Sequence, residues 1–274
     1  MRFIRVAVLM LSLSSSSFAQ NISNYSQGEL FFQWGWNQSQ YAPSDIHFTG
    51  PGYDFTLHDV RAKDRPTHFK PEIYFNPTTI TIPQTNFKIG YFISDNWSVS
   101  LGYDHMKYVA TQYQTVDISG DINAGTNFDG TYDRDPIQMT YSLLKYEHTD
   151  GLNYFYIGAD YYSSLLRLSD YGVARGNIEV LGSFGFDAGA VVPKTNAQLF
   201  QMERSDRFHL AGYGAAVNMS LNIAFFKYFY LGAQVKPGFI HLPDVQTTLR
   251  DSDRASQRIL YIQENLYLGI KLHL

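Results

Sequence analysis

Between Trp97 and Tyr103 the chain sets Trp97, Val99, Leu101 and Tyr103 against Ser98, Ser100 and Gly102. An alternation of period two puts each class on its own face of a β-strand. Segments of this kind recur along the sequence and predict eight strands, near 28–38, 86–93, 97–108, 137–148, 153–163, 208–225, 229–241 and 258–273. Three predicted connections are very short: Ser94-Asp95-Asn96, Thr149-Asp150-Gly151-Leu152 and Phe226-Lys227-Tyr228. The other four are long, covering about 39–85, 109–136, 164–207 and 242–257. Short and long connections alternate, as the periplasmic turns and external loops of outer-membrane barrels do. The expected fold is therefore all-β: an eight-stranded antiparallel transmembrane β-barrel with long extracellular loops and both ends of the chain on the periplasmic side.

Inside the first long loop, Ile46-His-Phe48 and Tyr53-Asp-Phe-Thr-Leu57 alternate around Thr49-Gly-Pro-Gly52, which predicts a hairpin above the membrane. Pro66, Pro71, Pro77 and Pro83 are expected to return the chain in extended form. The third long loop carries Gly182, Gly185, Gly189 and Pro193 and is expected to add strand length around 185–192.

Parity along the strands selects what lines the lumen. Glu29, Lys88, Asp104, Asp160, Lys236 and Lys271 fall inward. Three acids with three bases suggest internal pairing, because an unpaired buried charge costs several kcal/mol. Eight strands leave room only for side chains, so the expectation is a plugged barrel rather than a pore. Glu264 falls on the lipid face, either through a bulge that shifts the register or because it faces a partner.

Composition sharpens this picture at the N-terminus and in the choice of chemistry. Arg2 and Arg5, the apolar run from Val6 to Leu13, and Ser17-Phe-Ala19 predict a signal peptide over 1–19, leaving one barrel domain over 20–274. The apolar run is too short to span a bilayer as a helix. Aromatic residues make up 16% of the chain, as expected of interfacial girdles. Charged residues are 17%, below the roughly 25% of soluble domains, and a net charge of −4 without a basic cluster argues against nucleic acid. The absence of cysteine removes thiol catalysis, cysteine-held metals and disulfides.

The densest polar segment is Asp54, His58, Asp59, Arg61, Asp64, Arg65 and His68. Arg61 and Arg65 suit phosphates of lipopolysaccharide, with Asp59 beside them, and Asp and His are metal-ligand types. The alternative is a solvated loop with ordinary surface ion pairs. No metal site is assigned and no cofactor is implied by this pattern. Asp104 and His105 are candidate catalytic residues near the outer end of the third strand, although adjacent strand residues point to opposite faces. His148-Thr-Asp150 is expected at a periplasmic turn, where Asp-Gly is ordinary turn chemistry. A His-x-Ser pair of the deacylase kind and a Gly-x-Ser-x-Gly elbow are both missing from the sequence.

Four short stretches occur in order: Asp104-His-Met-Lys-Tyr108, Glu147-His-Thr-Asp-Gly-Leu-Asn153, Phe186-Asp-Ala-Gly-Ala-Val-Val-Pro-Lys194 and Phe208-His-Leu-Ala-Gly-Tyr-Gly214. Together they resemble the lipid A oxidase-like group of small outer-membrane barrels, over about residues 86–274. Where that group usually has His after the proline, this chain has Lys194, which puts the group's activity in doubt here. Three long loops and the outer end of the third strand converge at the outer rim, and the turns on the other side are too short to build a pocket, so a site is expected where the Tyr53–Arg65 hairpin would meet His105 and Val191–Lys194. Two functions follow. The first is a non-enzymatic outer-membrane barrel whose surface loops bind lipopolysaccharide, other outer-membrane lipids or an outer-membrane protein partner, with Arg61, Arg65, Asp59 and Lys194 as binding residues. The alternative is a lipid A-modifying enzyme working near His105.

Overall fold

The structure, a computed structural model, describes residues 27–68, 70–74, 84–168, 178–225 and 228–273. The expected signal peptide, Pro77, Pro83 and the Phe226-Lys227 part of the third short turn lie outside these residues. Among the described residues the strands are β1 (Glu29–Tyr41), β2 (Ser44–Gly50), β3 (Tyr53–Val60), β4 (Ala62–Lys63), β5 (Thr85–Phe92), β6 (Trp97–Ala110), β7 (Thr115–Ile122), β8 (Gly130–Gln138), β9 (Leu144–Arg167), β10 (Ile178–Val191), β11 (Asn196–Leu199), β12 (Gly212–Phe225), β13 (Phe229–Gln246) and β14 (Arg254–His273). A single helical turn, α1 (Pro71–Tyr74), follows β4, so the proline-marked return is helical rather than extended at Pro71.

Eight strands close a ring in the order β1-β5-β6-β9-β10-β12-β13-β14, and β14 pairs back onto β1 from Glu29↔His273 to Tyr41↔Tyr261. The register runs Phe31↔Gly90↔Ser100↔Gly158↔Asp187↔Ala216↔Gly238↔Tyr261, and Tyr261 faces Tyr41. One circuit thus returns ten residues further up β1, a shear of ten. For eight strands that sets a tilt of roughly 40° and an interior filled by side chains.

The strand count agrees with the sequence pattern, but two of its strands are assigned differently. The segments 137–148 and 153–163 do not form two strands joined by a turn at Thr149–Leu152. β9 runs unbroken through that point for 24 residues. Thr149, Asp150 and Gly151 stand opposite Lys107 alone, between the pairs Met106↔Leu152 and Tyr108↔His148, so the Asp-Gly signal marks a β-bulge. Gly151 has φ +124°, and a Cβ there would collide with the Asn153 side chain. His148 consequently lies on the extracellular side, not at a periplasmic turn. The eighth wall strand is β10, inside what the sequence suggested was a loop.

Outward positions form an apolar belt. On β14 they are Leu260, Ile262, Leu266, Leu268, Ile270 and Leu272, and on β9 and β10 they include Phe155, Ile157, Phe184 and Phe186. Trp97 and Tyr161 pack edge to face near the short-turn end, while Tyr103 and Phe155 pack at the other. A closed ladder satisfies every backbone group internally, and lipid-facing apolar positions with interfacial aromatics complete an outer-membrane barrel. The chain is an integral outer-membrane protein.

Above the belt the wall continues as a second structure. β14 leaves β1 and pairs with β2, and β2-β3-β7-β8 extend the sheet. β4 pairs with the top of β6 and β11 with the top of β9. The β2–β3 hairpin is the one the sequence indicates, whereas the β7–β8 hairpin lies in the expected 109–136 loop. Their inner faces bury Ile46, Phe48, Phe55, Leu57, Ile118, Tyr108, Tyr146, Ile240, Leu242 and Ile259 in one apolar core. This cap closes the extracellular mouth.

Candidate functional site at the outer rim

Inside the wall, all six charges selected by parity point inward and are buried or nearly so. Lys88 donates to Asp160. Lys236 sits 2.7 Å from Asp104 and 3.0 Å from Asp187, and its Nζ lies 3.8 Å from the centroid of the Tyr156 ring. Tyr154 donates to Asp187 at 2.7 Å. Lys271 approaches Glu29 at 4.0 Å. Asp187 escapes the parity reading because the sequence does not mark β10 as a wall strand. The space left beside Gln33, Lys88, Asp104 and Tyr156 is about 10 Å³, room for no more than one water.

Asp104 and His105 are therefore separated by the wall. Asp104 belongs to the lumen network. His105 faces the other way, buried, with Nδ1 2.9 Å from Asn153 Oδ1, and Tyr103 donates to that same oxygen at 2.8 Å. Asn153 in turn donates to the Val192 carbonyl at 3.1 Å, which ties β9 to the segment following β10.

β9 also collects the rest of the rim. Lys194 donates its backbone N–H to the Gly151 carbonyl, and its Nζ lies 3.2 Å from Asp150 and 3.6 Å from Asp206. The hydrogen bond to Asp150 raises the Lys194 pKa above its ordinary value, against the effect of burial. Arg65 reaches Glu147 at 3.1 Å, and Lys145 approaches the same carboxylate at 3.0 Å. Asn196 on β11 also donates to Glu147, at 2.7 Å. Lys107, opposite the bulge, donates to Thr67 at 3.2 Å. Arg65, His105 and Lys194 thus each meet a β9 side chain, Glu147, Asn153 and Asp150 respectively. Lys107, Lys145, Glu147, Asp150 and Asn153 join them. Their signal lies largely inside the short stretches already singled out, but reading 149–152 as a turn hides it.

The polar segment 54–68 does not form one site. His47 takes Asp54 at 2.7 Å, and His58 takes Asp45 at 3.2 Å and Ser119 at 3.1 Å. Asp59 is exposed, with φ 53°, and its N–H donates to Asp45 at 2.9 Å. Burial acts to raise the Asp45 pKa, but this N–H and His58 hold it below the usual value. Arg61 turns to Gln114, which accepts from its backbone N–H at 3.0 Å. Asp64 accepts from Ser39 and Arg65 backbone N–H groups, and burial raises its pKa. Asp59 and Arg61 therefore stand apart from the β9 flank. Among the described residues, no three His, Asp or Glu side chains come together to hold a metal ion.

No family model matches the chain, and no curated protein matches it. Among solved structures it is similar to the outer membrane protein OprG from Pseudomonas aeruginosa, at 12% identity over 93% of this chain and 100% of that one, with a TM-score of 0.38. It is similar to Neisserial surface protein A at 7% identity over 91% and 99%, with a TM-score of 0.33. It is also similar to Ail, the attachment invasion locus protein of Yersinia pestis, at 10% identity over 90% and 99%, with a TM-score of 0.26. At such identities and scores the barrel and its membrane setting rest on the closed ladder and the apolar belt of this chain.

Proposed function

We propose that this protein is a non-conducting outer-membrane barrel that binds lipopolysaccharide on the outer flank of β6 and β9. The observation that carries this reading is the placement of Arg65, Lys107, Lys145 and Lys194 along that flank, beyond outward-facing Tyr103 and Phe155 at the edge of the belt. Glu147 serves two of these bases at once, and Asp150 and Asp206 share Lys194, so Arg65, Lys145 and Lys194 each already hold a carboxylate that a phosphate would replace. Phosphate oxygens take charge-assisted hydrogen bonds from such groups, and the aromatic pair meets the lipid below.

The test is lipopolysaccharide binding by native mass spectrometry, comparing wild type with Arg65→Ala/Lys107→Ala/Lys194→Ala. The expected result is a loss of at least about tenfold, since one hydrogen bond to a charged group is typically worth about 1.5–3 kcal/mol. Equal binding by a correctly assembled triple variant would sink the proposal. The alternative, a lipid A-modifying enzyme of the group the sequence resembles, has its own readout in the same strains. A lipid A mass that changes with the presence of this chain selects it. Asp104 and His105 would not act there as a pair, since Asp104 is committed to Lys236 within the lumen.

A further inference from the structure

Glu264 interrupts the lipid-facing surface of β14. No bulge explains it. The β14 register runs unbroken against β1 from 261 to 273 and against β13 from 257 to 270. Glu264 is exposed between Ile262 and Leu266, two of the more exposed apolar side chains of the belt. Ile262 and Leu260 separate it from Arg258, the next outward charge on the strand. Six residues at a rise of roughly 3.3 Å and a tilt near 40° place Glu264 roughly 15 Å deeper than Arg258. Its neighbour in register on β1 is Gln38, and Gln40 follows one outward position later. Both are exposed, and none of the three has a hydrogen-bond or ion-pair partner among the described residues.

A carboxylate and two carboxamides on one lipid-facing strip are costly in hydrocarbon, where a polar group without a partner loses its hydration for nothing. We infer that the β1–β14 seam is an interface between two copies of this chain within the membrane. The chemistry of the strip selects that occupant. Gln38 and Gln40 supply N–H donors and Glu264 an acceptor, side by side. A two-fold axis through the seam sets the donors of one copy against the acceptor of the other, twice over, as an isologous interface requires. A partner of unrelated sequence would have to supply that complement separately. The site lies away from the β6–β9 flank, so the inference does not depend on lipopolysaccharide binding.

The absence of native cysteine makes the test clean. Single variants Gln38→Cys and Gln40→Cys would be oxidised or bridged with a short bis-maleimide in intact outer membranes. Met219→Cys, an exposed belt position on β12, serves as the control. The expected result is a covalent species of twice the chain mass from at least one seam variant and none from the control. Adding Glu264→Leu, which removes a lipid-facing charge and so does not threaten assembly, should cut that yield at least about tenfold. Cross-linking at the seam no greater than at Met219, an unchanged yield with Glu264→Leu, or an adduct of another mass would each overturn the inference.

Discussion

The lumen and the extracellular cap share strands such as β6 and β14, and along those strands they obey opposite rules. On β14 the inward side chains run Lys271, Tyr267, Asn265, Gln263 and Tyr261 within the membrane, then above it Ile259 and Ala255 with Gln257 between them, which donates to Ser44 and Tyr108. Outward, Leu272 to Leu260 give way to Arg258 and Arg254. β6 reverses in the same way, from Ser98, Ser100 and Asp104 to Met106 and Tyr108. The alternation never breaks; the solvent changes. In lipid the apolar face turns out and the polar remainder must pair inside, while in water the apolar face turns in and builds an ordinary core. The lumen is held by directional contacts with fixed partners, and the cap by packing.

That difference is easiest to break at Lys236. Lys236→Met leaves Asp104 and Asp187 as two buried carboxylates without their base and should cost about 3–5 kcal/mol. Urea unfolding from lipid vesicles measures it. Replacing all three by apolar residues of similar size should recover most of the loss, because it is the unpaired charge that is costly. Recovery would be absent if the lumen depended on the pair itself.

Phe48→Ala makes the matching cut in the cap. Phe48 is fully buried and stacks on Phe55 with centroids 5.3 Å apart. The expected cost is about 3 kcal/mol, confined to the cap. Limited proteolysis should open the β2–β3 hairpin while hydrogen exchange leaves β12 to β14 protected. Loss of protection throughout would show that cap and barrel unfold as one unit.

The bulge joins the two regions and gives a smaller effect. Gly151→Ala forces a residue with a Cβ into φ +124° and against Asn153, at about 1–3 kcal/mol. His105 should respond through Asn153, and a shifted imidazole NMR signal in the variant would report it. Smallest of all, Lys194→Ala removes surface ion pairs worth about 0–1 kcal/mol. Stability should barely move while lipopolysaccharide binding weakens, a split that separates binding from structural roles on this flank.

Much of the barrel is legible in the sequence because alternation is local. Parity alone places Lys88, Asp104, Asp160 and Lys236 in the lumen. It fails where a local signal has two meanings. Asp150-Gly151 suits a tight turn and a bulge equally, and only pairing with β6 decides. That single misreading splits β9, moves His148 to the wrong side of the membrane, and leaves β10 and Asp187 in a supposed loop. The rim is less legible, because its contacts are not between sequence neighbours. Arg65 finds Glu147 82 residues away, while Asp59 and Arg61, close to it in sequence, turn to Asp45 and Gln114.

The barrel is closed twice, by a charge-paired lumen and by an apolar cap that packs separately. Planar-bilayer recording probes this double closure, with wild type and Phe48→Ala side by side. No stable conductance steps are expected from either, since loosening the cap leaves the Asp104–Lys236–Asp187 contacts in place across the lumen. Steps from Phe48→Ala alone would show that the cap, rather than the lumen, is the seal. Steady open-channel steps from the wild type would refute both closures at once.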